Sequence, residues 1–147
     1  MIRTAAAILV GAVIGAAVAC GGRPAPSPAW SELSAKRNEI TALATQIRQW
    51  RHKAGLEVEP DDATVVAMAR TSAASAARAC VLPGPPQPRC ADVCELGSAI
   101  CDNAEDICGI AAELGDDAWA KDKCDSAKAS CREAQERCCA CNQKEQP

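Results

Sequence analysis

The chain has no Phe and no Tyr, and its only Trp residues are Trp30, Trp50 and Trp119. A core built from large aromatic side chains is therefore excluded. Much of the 48% hydrophobic content is Ala and Cys, which bury little apolar surface per residue. Histidine is nearly absent: His52 stands alone, on the polar side of a helical stretch, with no nucleophile placed beside it by sequence. Ser-His-Asp and Cys-His catalysis thus have no support. A Gly-rich phosphate loop, zinc-finger spacing and interleaved basic and aromatic residues are all missing, and the net charge is −3, which argues against nucleic-acid binding. The longest apolar run, Ala5 to Ala19, is about 15 residues, short of the roughly 20 that span a bilayer.

Cysteine is what the chain has in excess, with eleven among 147 residues. Cys94, Cys101 and Cys108 form one ladder with a step of seven, and Cys124, Cys131 and Cys138 form another. Seven residues are nearly two helical turns, so each ladder runs along one helix face. Taken from the inside outward, Cys108 faces Cys124, Cys101 faces Cys131 and Cys94 faces Cys138, and the two residue numbers of every pair have the same sum. A constant sum is the register of two antiparallel segments. The pattern predicts an all-α fold in which an antiparallel helical hairpin is cross-linked at successive levels.

A second set of positions obeys the same register. Cys90, Gly97, Ala104 and Ala111 on the first helix face Cys141, Ala134, Ala127 and Ala120 on the second. Small residues between the bridges let the helices approach closely enough for disulfides, which need Cα atoms about 5.5 Å apart. Pairing within one helix is poor: residues four apart place their Cβ atoms about 5–6 Å from each other, too far for relaxed S–S geometry. Cys90 is therefore paired with Cys141, and elimination leaves Cys80 with Cys139. Cys139 shares its stripe with Asp125 and Arg132 and is expected to face away from the seam, within reach of an outside partner.

The start of the chain reads as an export signal. Arg3 precedes the apolar run, and small residues lead to Cys20. The tetrapeptide Ala17-Val18-Ala19-Cys20 resembles the lipobox of bacterial lipoproteins, with Ala17 where that motif usually carries Leu. The resemblance implies cleavage before Cys20 and attachment of diacylglycerol to its thiol. Ala17 and Ala19 also fit an ordinary A-x-A cleavage site. Cysteine parity favours lipidation, since removing Cys20 from the eleven leaves an even number for disulfides. Gly21 in place of Asp after the cysteine is similar to the outer-membrane sorting pattern. Loss of residues 1–19 removes Arg3 alone among the charges, taking the net charge from −3 to −4.

Six segments follow: a signal peptide over 1–19, a Pro- and Gly-rich tether over 20–29, an N-terminal helix pair over 30–82, a Pro-rich linker over 83–89, the stapled hairpin over 90–141 and a disordered tail over 142–147. Within the helix pair, Leu33, Ile40, Ile47 and Ala54 repeat every seven residues from a start at Ser31, and Gly55-Leu56 reads as a stop. Arg48, Arg51, His52 and Lys53 read as favourable charge at a helix C-terminus, or as a basic patch for anionic lipid or an acidic helix. A second, continuous helix is expected over 62–80, with Val66, Ala69, Ala73, Ala76 and Cys80 on its apolar face. In the hairpin, the stripe Val93, Ile100, Ile107 and Leu114 is left to pack on the earlier helices, while Asp92, Glu95, Asp102, Glu105, Asp106 and Glu113 are expected in solvent, the alternative being contact with the basic end of the first helix.

The rival chemistry is metal binding. Helical cysteines inside a bundle resemble the bacterial copper storage proteins, and thiolates select Cu(I) and Zn(II). The resemblance covers residues 90–141, and Cys90, Cys94, Cys138 and Cys141 are the candidate ligands. Cys138-x-x-Cys141 also matches a redox CxxC, without the strand–helix context of such enzymes. The reading taken from the sequence is a chain similar to cysteine-rich bacterial envelope lipoproteins. It is expected to be anchored in membrane lipid through Cys20, to be non-catalytic and to need no cofactor. Its role is structural or in interaction with an unknown envelope protein, and the alternative is an envelope metal-binding protein.

Overall fold

Ile40 and Ile47 on one helix and Ile100 and Ile107 on another are all fully or almost fully buried, and their seven-residue spacing puts each pair on a single face. In the computed structural model of the chain, which describes residues 28–143, these faces meet in one apolar cluster. Each such isoleucine contributes about 1.5–3 kcal/mol by leaving water. Every regular element among the described residues is helical: α1 Pro28–Lys53, α2 Asp62–Met68, α3 Ala73–Ala77, a 3-10 turn Pro88–Cys90, α4 Ala91–Glu113 and α5 Ala118–Gln143. None of these helices is long and apolar enough to cross a membrane. The expected signal peptide and Cys20, and residues 144–147 of the expected tail, lie outside the described residues.

Helix α1 begins at Pro28, about one turn before the expected Ser31. It ends on Gly55 at φ +72°, where the Leu56 amide donates to the Arg51 carbonyl and the Gly55 amide to the His52 carbonyl. This is a Schellman stop, and the left-handed backbone explains the glycine. Gly115, at φ +64°, lies in the turn between α4 and α5. Asp117 then caps α5, accepting from the Ala120 amide at 3.1 Å.

The continuous helix expected over 62–80 is not what forms. Asp61 caps α2 by accepting from the Thr64 amide, but the helix stops at Met68. The Thr71 hydroxyl bonds back to the Met68 carbonyl, and Ser72 starts α3 by accepting from the Ser75 amide. Hydroxyl side chains that satisfy backbone groups locally compete with helix continuation. The break redirects the faces: Met68 and Ala76 are buried, while Val66, expected inside, is 75% exposed. Residues 57–80 form a strap of two short helices, α2 laid on α5 and α3 on both α4 and α5, and α1 packs mainly on α4.

Candidate functional site

Helices α4 and α5 form an antiparallel hairpin, and the ladder cysteines lie along its seam. Cα atoms are 4.7 Å apart in Cys94–Cys138, 4.6 Å in Cys101–Cys131 and 4.7 Å in Cys108–Cys124. At the open end Cys90–Cys141 has a separation of 5.9 Å, and Cys80–Cys139 one of 6.2 Å. All five separations lie within the range disulfides occupy. Between the bridges, Ala104, Ala111, Ala120, Ala127 and Ala134 are buried. The closest approach is at Gly97, where a Cβ would sit 3.3 Å from the Ala134 carbonyl oxygen. A larger side chain there would hold the helices apart between two bridges.

Cys139 is off the seam as expected but, at 8% exposed, is covered by the strap through its bond to Cys80 rather than open to an outside partner. The four cysteines considered as metal ligands, Cys90, Cys94, Cys138 and Cys141, are joined as Cys90–Cys141 and Cys94–Cys138. Their lone pairs belong to disulfide sulfurs, which are poor donors compared with thiolates. Among the described residues, no group of three or more His, Cys, Asp or Glu side chains is arranged to hold a metal ion. Cys138 and Cys141 of the CxxC each bond a different residue of the other hairpin arm. His52 is exposed. Asp92, Glu95, Asp102, Glu105 and Asp106 are exposed along α4.

The basic end of α1 differs from its sequence reading. Arg51 is 1% exposed rather than part of a surface patch. Its Nε donates to the Glu57 carbonyl at 2.9 Å, and its Nη2 to the Glu59 carbonyl at 3.0 Å and to Glu133 Oε2 at 2.7 Å. Glu133 also accepts from the Asp61 amide at 2.9 Å. One guanidinium and one carboxylate thus tie α1, the strap and α5 together. The second buried cation, Lys128, donates to the Thr71 carbonyl at 3.0 Å and pairs with Asp125 at 2.7 Å. The signal for Arg51 was present in the sequence: it follows Ile47 by four residues and precedes Ala54 by three, so it lies on the apolar stripe.

The turn end of the hairpin carries a second electrostatic cluster. Lys36 pairs with Glu113 at 2.7 Å, and Arg37 with Asp117 at 2.7 Å, its guanidinium also 5.4 Å from the Trp119 ring centre. The hydrogen bond from Arg37, together with that from the Ala120 amide, holds the Asp117 carboxyl below the ordinary carboxylate range. The hydrogen bond to Glu113 raises Lys36. With the geometry so described, comparison with known proteins finds no family model, no curated protein and no solved structure that matches the chain.

Proposed function

We propose that the chain is a lipid-anchored protein of the bacterial cell envelope, held at the outer membrane through Cys20, with a structural or protein-interaction role and no catalysis. The observation that carries the reading is the pairing of every cysteine from Cys80 to Cys141, four bridges along the helical seam and a fifth from the strap to α5. Disulfides at this density persist in oxidising compartments, which export by the lipobox-like leader would supply. A small domain with few large apolar side chains gains from such staples what its core lacks.

The polarity of α1 adds a geometric consequence. Its early residues Lys36 and Arg37 bond Glu113 and Asp117 at the closed end of the hairpin. An anchor at Cys20 would therefore join the folded part on the side of the hairpin turn. The test is membrane partition of the full chain and of Cys20→Ser in the producing cell, with intact mass. Diacylglycerol on Cys20, and release of the serine variant into the soluble fraction, support the reading. A soluble, unmodified Cys20 chain overturns the anchor. Free thiols carrying copper or zinc favour the metal-binding alternative.

A further inference from the structure

We propose that Cys80 is a thiol-exchange site whose opening releases the strap while the hairpin stays closed. Four bridges join α4 or the turn before it to α5, and they are stacked along one seam. Cys80–Cys139 alone joins a segment outside the hairpin. Cys80 follows α3 in irregular chain and helps line an open groove of about 450 Å³, together with Val81, Leu82 and Pro86. Its partner Cys139 is 8% exposed. Half-buried at the groove wall, Cys80 is the more accessible half of this bridge.

The exchange is balanced as follows. An external thiolate attacks Cys80 Sγ, forming a mixed disulfide, and Cys139 leaves as a thiolate that takes a proton from water. A second external thiolate attacks the external sulfur of the mixed disulfide, giving the oxidised external disulfide and the Cys80 thiolate, which also takes a proton from water. The co-reactant is a thiol of low molecular weight or an exposed cysteine of an exported protein. Cys94 and Cys138 line the same groove, but the bridges Cys90–Cys141 and Cys101–Cys131 lie on either side of theirs. The flanking bridges hold Cys94 against Cys138, so a broken bond there recloses. Cys80 is flanked by one bridge only, Cys90–Cys141, with no bridge on the strap side.

Release matters because of what the strap covers. Helices of seven and five residues do not stand alone in water. Once unlatched, the strap is held by Met68, Ala76 and polar contacts to Arg51, Lys128 and Glu133. Its departure exposes these charged groups as a new surface on α1 and α5. The site follows from the bridge pattern, and its test is independent of lipid on Cys20.

The oxidised full chain is titrated with reduced glutathione, and free thiols are trapped with an alkylating reagent and mapped by peptide mass. Cys80 and Cys139 are expected to label at a glutathione concentration about tenfold below that needed for any hairpin cysteine. At that point amide exchange over 57–80 and acylation of Lys128 rise, while 91–143 stays protected. The double variant Cys80→Ser, Cys139→Ser gives the same exchange pattern without glutathione. Hairpin cysteines labelling as early as Cys80, or a strap that stays protected after Cys80 and Cys139 are labelled, overturns the proposal. The wild-type titration decides it even where the variant fails to fold.

Discussion

Arg51 and Glu133, 82 positions apart in the chain, meet at 2.7 Å where α1, the strap and α5 converge, with Arg51 1% exposed. Removing one member of a buried pair leaves the other charge uncompensated, which costs about 3–5 kcal/mol. Glu133→Ala is expected near the lower end of that range, because the Glu133 side chain keeps 17% exposure. Arg48→Ala, which removes an exposed pair with Glu59, is expected to cost less than about 1 kcal/mol. Denaturant unfolding of both variants checks this. Equal effects would show that Arg51 is no more than a surface charge.

The seam makes a steric prediction at Gly97. Replacing an exposed helical glycine with a better helix former stabilises by about 1 kcal/mol, but here the new Cβ faces the Ala134 carbonyl oxygen at 3.3 Å. Gly97→Leu is expected to destabilise by about 1–3 kcal/mol through overpacking, and to lower the yield of Cys94–Cys138 and Cys101–Cys131 on refolding. Gly109→Leu on the same helix meets nothing within 4 Å and is expected to leave both yields unchanged. Peptide mapping of refolded protein reads the difference.

Acid sensitivity follows from Asp117. Its carboxyl is held low chiefly by the Arg37 hydrogen bond, so its contribution to stability is complete above the ordinary value of 3.8 and lost as pH falls through the lower folded value. The stability gap between the native chain and Asp117→Asn is expected to be flat near neutrality and to shrink below about pH 3.8. Unfolding curves at several pH values measure it. A gap that persists unchanged into strong acid contradicts the assignment.

Reduction is expected to cost the fold most of its stability. Cys108–Cys124 closes a loop of sequence separation 16, worth about 3 kcal/mol in the chain-entropy model, and each wider bridge adds a smaller increment because the inner ones already restrain the chain. A domain with total stability of about 5–15 kcal/mol has little margin against that loss. Far-UV circular dichroism and protease resistance in excess reductant test it, and an unchanged protein would refute the staple account.

The hairpin was legible because two signals coincide on it: a step of seven fixes the helix face, and the constant sum fixes the register. The apolar stripe Ile40, Ile47, Ile100 and Ile107 was legible by the same periodicity. The break between α2 and α3 was not. Ala-rich sequence favours helix on propensity, and the Thr71 and Ser72 side chains, which decide the matter by bonding local backbone, carry no periodic signature. Arg51 was missed for a related reason. Its place in the last turn of α1 suggested an interaction with the helix dipole, whereas its position on the apolar stripe, between Ile47 and Ala54, was the informative feature.

The most direct test is a disulfide map of the oxidised chain, digested without reductant after alkylation. The account predicts no alkylated cysteine between residues 80 and 141, and cross-linked peptides joining Cys80–Cys139, Cys90–Cys141, Cys94–Cys138, Cys101–Cys131 and Cys108–Cys124. Alkylated ladder cysteines, or peptides that join two cysteines of the same helix, would contradict it.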